Sequence, residues 1–197
     1  MSISKEEKKK ALLQTASDVF LEYGPHKTKL EDIAKRAGMA KTSLYYYFRD
    51  KNDIIRTIVK NDMARLHEIM IGAVGSADTA EGKILALSEA RYQFIADKAS
   101  RANKEIISEF RSLAGVFEAE KETYLHAQKD LIEGILREGI EKGEIRPIQD
   151  LDLMALIMIA SMFGCDNTFA FYDQRESVMD AIKQMVRIFF IGLRNAP

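Results

Sequence analysis

The sequence predicts an all-α protein: an N-terminal three-helix unit built around a helix-turn-helix, followed by a larger helical domain. Three observations carry this. Apolar residues recur three and four apart along almost the whole chain, and no alternating run bounded by turn residues marks a strand. Glycine or proline falls at 24–25, 38, 72–82 and 143–147, cutting that periodicity into helix-sized segments. With 197 residues, 47% apolar content and a net charge of -1, the chain can bury one sizeable core or two small ones, and lacks the charge imbalance of a disordered polymer.

The elements follow in order. Leu12, Ala16, Val19, Phe20 and Tyr23 form one stripe of a first amphipathic helix, which Gly24-Pro25 stops because proline cannot continue the hydrogen-bond ladder. Thr28-Lys29-Leu30-Glu31 reads as a capping box, predicting a second helix from Thr28 with Leu30, Ile33, Ala34 and Ala37 on its apolar face and Gly38 at its turn. A third short helix is expected over 40–48, with Leu44 and Phe48 facing inward. Two short helices joined by a glycine-containing turn make a helix-turn-helix.

From Lys51 a longer helix carries Ile55, Ile58, Val59, Asp62, Leu66 and Ile69 until Gly72, Gly75 and the polar residues before Gly82 break it. Helices are expected near 83–98, 102–117 and 120–142. Residues 143–147 form a loop, Asp150 caps a helix that is apolar nearly all round, and a last helix over 176–193 carries Val178, Ile182, Met185, Phe189 and Leu193 on one stripe. The longest uncharged run, 153–165, has 13 residues, too few for the roughly 17–25 that span a bilayer, so no membrane partner is expected.

Composition narrows the function. A single cysteine, Cys165, leaves no intramolecular disulfide or CxxC site and suits a reducing cytoplasm. His26, His67 and His126 lie far apart without HxxxH or HExxH spacing, and no phosphate loop or GxSxG elbow is present, so neither an enzyme nor a cofactor is expected. Charge is divided unevenly. Residues 1–60 hold 13 Lys and Arg against 8 Asp and Glu, whereas the remainder holds 16 against 22. A basic N-terminal part suits a polyanionic partner.

The stretch TKLEDIAKRAGMAKTSLYYYF, residues 28–48, sharpens this. Five consecutive residues from Leu44 to Phe48 cover the whole circumference of a helix, so they cannot all be buried against one partner, and some rings must face out. Lys41, Thr42 and Tyr45 then share an outer face that mixes a cation, a hydroxyl and an aromatic ring, suited to phosphates and base edges in a major groove.

Thr28, Asp32-Ile33-Ala34, Ala37-Gly38, Leu44-Tyr45, Tyr47-Phe48 and Lys51 stand in the register of the DNA-binding signature of the TetR (tetracycline-repressor) family, which the stretch resembles over residues 10–55. The resemblance implies a DNA-binding domain over 1–52 and a helical ligand-binding and dimerisation domain over 53–197. It makes Lys41, Thr42, Ser43 and Tyr45 candidate base-edge readers, and Thr28, Tyr46, Tyr47 and Lys51 candidate phosphate clamps. Two positions depart from the pattern: Ala40 stands where Ser or Thr usually caps the helix, and Lys41 where a small residue is common. Lys41 reaches either a guanine edge or a phosphate.

Partners implied are a double-stranded, near-palindromic DNA operator, a second copy of the chain through the last two helices, and a small apolar or amphipathic effector. Candidate effector contacts are Tyr92, Phe110, Phe117, Tyr124, Met158 and Met162, with Asp166 and Asn167 as polar groups in an apolar helix that require a partner. The same residues also suit a plain core. Repression with release by the effector is the implied function; activation, or a helical scaffold without specific DNA binding, are the alternatives.

Overall fold

The structure is a computed structural model describing residues 4–171 and 175–194; for 165–171 and 175–177 it describes the backbone alone. The described residues contain helices and no strand. In order they are α1 (Lys5–Tyr23), α2 (Leu30–Arg36), α3 (Lys41–Leu44), α4 (Lys51–Val74), α5 (Ala80–Ser100), α6 (Lys104–Ser112), a 3₁₀ turn (Ala114–Phe117), α7 (Glu118–Glu141), α8 (Leu151–Phe171) and α9 (Arg175–Leu193). They divide into two compact units, one of residues 1–64 and 96–122, the other of 65–95 and 123–197.

The first unit has its own core. Ser4 caps α1 by accepting the Glu7 amide while the Glu7 carboxylate accepts the Ser4 amide. Leu12, Leu13, Ala16, Val19 and Phe20 of α1 then pack with Ile33 of α2, Leu44 of α3, Phe48, and Ile54 and Ile55 of α4. Tyr23, expected on the same stripe, is instead exposed at the end of the helix. Gly24 closes α1 at φ +85°, a conformation that a side chain resists.

Three expectations for this unit change. Helix α2 begins at Leu30, and the Thr28–Glu31 box does not form: Lys29 is the cap residue, and its amide is accepted by the Asp32 carboxylate at 2.8 Å. Thr28 instead donates its hydroxyl to the Gly24 carbonyl at 2.7 Å, joining the corner between α1 and α2. The third helix is α-helical only over Lys41–Leu44, because Tyr47 N–H turns back to the Leu44 carbonyl at 3.0 Å, three residues away. Consecutive aromatic residues lose rotamer freedom in a helix, and this run relaxes into turns.

Residues 104–117, with no place in a three-helix reading, also belong to the first unit. Phe110, Leu113, Val116 and Phe117 pack on its core, with the Phe110 ring edge-on to Phe20 at 6.5 Å between centroids. Polar contacts reinforce this seat. His26 N–H donates to Glu109 at 2.9 Å, the His26 ring meets the Ser112 hydroxyl at 2.9 Å, and Arg101 pairs with Asp18 at 2.8 Å.

The second unit packs Leu66 and Met70 of α4, Ile84 and Leu87 of α5, Tyr124, Ile132 and Leu136 of α7, and apolar faces of α8 and α9. Gly139 lets α7 approach α5: a side chain there would meet the Ala80 methyl at 2.7 Å. Lys83 and Lys142 both pair with Glu138, at 2.5 and 2.7 Å, and hold its carboxyl down at about 2. Asp150 caps α8 as expected, accepting the Leu153 amide at 2.9 Å. Gly72 is accommodated inside α4, which runs on to Val74. On α9 the buried stripe is Val178, Ile182, Val186, Phe190 and Leu193, so Met185 and Phe189 lie at its margin.

Candidate nucleic-acid interface

The outward face of α3 and the turn after it is built by what the core takes in. Leu44 and Phe48 are both buried, which turns the residues between them away from the core. Tyr45 and Tyr46 are 49% and 68% exposed, whereas Tyr47 is half-buried and packs against the core. Of the three consecutive tyrosines, two therefore face solvent and one is anchored. The rings of Tyr46 and Tyr47 meet edge to face at 5.1 Å, so the anchored ring supports the exposed one.

Lys41, Thr42 and Ser43 are exposed on the same element. Ala40 occupies the cap position with an extended backbone and no side-chain acceptor for the first amides, as its identity requires. The Lys41 ammonium pairs with Glu31 of α2 and lies 5.9 Å from the Tyr45 ring centroid. The hydrogen bond to Glu31 raises the Lys41 ammonium above its ordinary range and lowers the Glu31 carboxyl, so Lys41 stays cationic and held across the turn.

Thr28 and Lys51 sit differently from a solvent-facing clamp. Thr28 is 2% exposed, and its hydroxyl is committed to Gly24. The Lys51 ammonium donates to the Pro25 carbonyl at 2.7 Å and to the Thr28 carbonyl at 3.1 Å, tying the start of α4 to the corner between α1 and α2. The start of α4 is closed by its own side chains: Asp50 accepts the Asp53 amide at 2.8 Å and Asp53 accepts the Arg49 amide at 3.0 Å. Both side chains shape the surface on which Lys41, Thr42, Ser43, Tyr45 and Tyr46 are displayed.

The candidate effector residues are not gathered into one group. Phe110 and Phe117 lie in the first unit against its core. Tyr92, Tyr124, Met158 and Met162 lie in the second. There Tyr124 accepts a hydrogen bond from the buried Gln128 amide, and Met162 sulfur receives the Ser88 hydroxyl at 3.7 Å. The side chains of Asp166 and Asn167 lie outside the described residues. Sequence reasoning passed over Arg91, which is 2% exposed with its guanidinium 4.3 Å from the Phe163 ring centroid. Its signal was present: a cation at i+4 from Leu87 and i+7 from Ile84, on the buried stripe of α5.

Comparison with known proteins bears on both units. Residues 12–58 match the family model of bacterial regulatory proteins, tetR family. The fatty acid metabolism regulator protein of Bacillus subtilis (strain 168) is 24% identical over 93% of this chain and 94% of its own. The HTH-type transcriptional regulator RutR of Escherichia coli (strain K12) is 45% identical over 53 residues, 27% of this chain and 25% of its own. The crystal structure of FadR from Bacillus subtilis in complex with stearoyl-CoA superposes with a TM-score of 0.71 at 24% identity, covering 93% of this chain and 98% of that one. No helix among the described residues is long and apolar enough to cross a membrane. The matched segment runs from within α1 through α2 and α3 into the start of α4 and carries the tyrosine-bearing turn, so residues 12–58 form a helix-turn-helix domain of the tetR-family type found in bacterial regulatory proteins.

Proposed function

We propose that this protein is a homodimeric repressor that holds a near-palindromic operator and releases it when the second unit takes up an amphipathic anion with a long apolar chain, of the acyl-thioester class. The observation that carries the DNA half is the exposed Lys41, Thr42, Ser43, Tyr45 and Tyr46 surface on a helix-turn-helix whose sequence matches the family. Lys41, Thr42, Ser43 and Tyr45 read base edges, and Tyr46 contacts phosphate. Thr28, Tyr47 and Lys51 act from behind by fixing the corner, the ring stack and the start of α4. Helix α4 begins at that surface and continues into the second unit, so it is the element whose displacement alters operator affinity.

Dimerisation through α8 and α9 is supported by apolar side chains that each helix leaves in solvent: Leu153, Leu156 and Ile157 on one, Ile188 and Ile191 on the other. Ile188 is 67% exposed, and burying such a side chain is worth about 1.5–3 kcal/mol. A second copy covering this face also sets two recognition helices one DNA turn apart, about 34–36 Å.

For the effector, the second unit offers an apolar interior rich in Met70, Met158 and Met162, with the buried Arg91 as a cation for an anionic group. The likeness to a regulator of fatty acid metabolism, and to a structure holding stearoyl-CoA, points the same way. The test is titration of the operator-bound dimer with acyl-CoA thioesters of graded chain length, with free CoA as control. Release by long chains, lost in Arg91→Met, supports the reading. Release by none of them removes the acyl-thioester assignment. A protein that stays monomeric, with Ile188→Asp indistinguishable from it in sedimentation, removes the dimer.

A further inference from the structure

The stripe that buries α1 changes chemistry at its N-terminal end. Leu12, Leu13 and Ala16 lie in the core, and the positions one and two turns earlier on the same face are Lys9 and Lys5. Stepping back from Leu13 by four and eight residues reaches them, so the geometry that seats the aliphatic stripe carries these two cations over the same surface. There they meet the recognition element. The Lys5 ammonium lies 4.5 Å from the centroid of the Tyr46 ring, and the Lys9 ammonium 5.6 Å from that of Phe48. Both distances are in the range where a cation is held by an aromatic ring.

We infer that Lys5 and Lys9 form, with Tyr46, a second backbone contact to DNA: an α1 clamp that grips phosphates flanking the bases read by α3. The inference rests on the DNA-binding reading above. Tyr46 is the most exposed of the aromatic residues on that surface and is braced on both sides, by the Tyr47 ring and by Lys5. A ring held this way presents its hydroxyl at a fixed position, and the adjacent ammonium supplies the charge that a phosphate requires. Of the two carboxylates in this first turn, Glu6 and Glu7, the Glu7 carboxylate is turned back onto the Ser4 amide. Lys8 and Lys10, exposed on the same helix, show no ring contact among the described interactions and serve as internal controls.

The probe is a duplex selected by the wild-type protein from a random pool, with affinity measured by fluorescence anisotropy from 50 to 300 mM KCl. Each phosphate neutralised by a lysine or arginine contributes about 0.9 to the slope of log affinity against log salt. Each substitution is present in both subunits of the bound dimer, so the expected result is a slope shallower by about 1.8 in Lys5→Ala and by about 3.6 in the Lys5→Ala, Lys9→Ala double variant, with affinity for unrelated duplexes also reduced. Lys8→Ala and Lys10→Ala retain the wild-type slope, and circular dichroism melts show whether the variants remain folded. Tyr46→Phe separates the two parts of the clamp: it keeps the ring for Lys5, so affinity falls while the slope stays within about 0.3 of wild type, since no charge is lost. A folded double variant with the wild-type slope overturns the clamp and leaves the DNA-binding reading intact. A wild type with no salt-dependent DNA affinity overturns both.

Discussion

Gly24→Ala tests how the DNA-binding surface is assembled. Gly24 has φ +85° and ψ 146°, a conformation nearly exclusive to glycine, and holding another residue there costs about 1–3 kcal/mol. An added methyl would also stand 2.5 Å from Oε2 of Glu109. That oxygen accepts the His26 amide at 2.9 Å, so moving it sacrifices a hydrogen bond worth about 1 kcal/mol at an exposed site. Reduced freedom of the unfolded chain returns about 0.5 kcal/mol. The sum is a destabilisation of about 2.5 kcal/mol. It should be measured by urea unfolding, followed through tyrosine fluorescence, with a double-mutant cycle that adds Glu109→Ala. In the Glu109→Ala background, Gly24→Ala should cost only about 1.5 kcal/mol, leaving a coupling of about 1 kcal/mol between the two positions. A change below 0.5 kcal/mol, or the absence of coupling, would refute the account of this corner, on which the Thr28 and Lys51 hydrogen bonds both depend.

Other predictions concern different parts of the molecule. Ala40→Ser supplies the missing cap of α3 and should stabilise the first unit by about 1 kcal/mol in the same urea assay; no gain would show that the first amides of α3 do not need it. Glu138 has its carboxyl lowered from 4.5 to about 2 by Lys142 and Lys83, so its contribution is complete above pH 4.5 and disappears as pH falls toward 2. Glu138→Gln should therefore destabilise the protein at pH 6 and matter less as the midpoint is measured at pH 4 and 3; an effect independent of pH would contradict the ion-pair assignment.

Much of this architecture was legible in the sequence because local rules and the fold agree. The glycine and proline at 24–25 end α1, Asp150 caps α8, the four-residue spacing of Leu44 and Phe48 put both inside, and the expectation that some of the rings between them face out holds although 45–47 form turns and not helix. The misplaced details have identifiable causes. Thr28 and Asp32 could each serve the start of α2, and the Gly24 carbonyl, which depends on the corner's three-dimensional path, claimed the threonine. On α9, positions seven and eight residues from Val178 both lie near the stripe, and packing selected Val186 over Met185. Phe110 and Phe117 show the harder limit. Helical spacing says that a ring is buried, but not which of two cores it enters. The partners of Lys51 and Arg91 were opaque for a related reason, since those of a long cation are set by tertiary structure.

The central claim is that the turn bearing Tyr45 and Tyr46 reads DNA as part of a dimer. Selection of bound sequences from a random duplex pool, with the wild type beside Tyr45→Ala, tests it most directly. The account predicts enrichment of an inverted repeat with half-sites about one helical turn apart, abolished in a Tyr45→Ala protein that remains folded. Enrichment of nothing by the wild type at any salt concentration, or an equal motif from the variant, would contradict it.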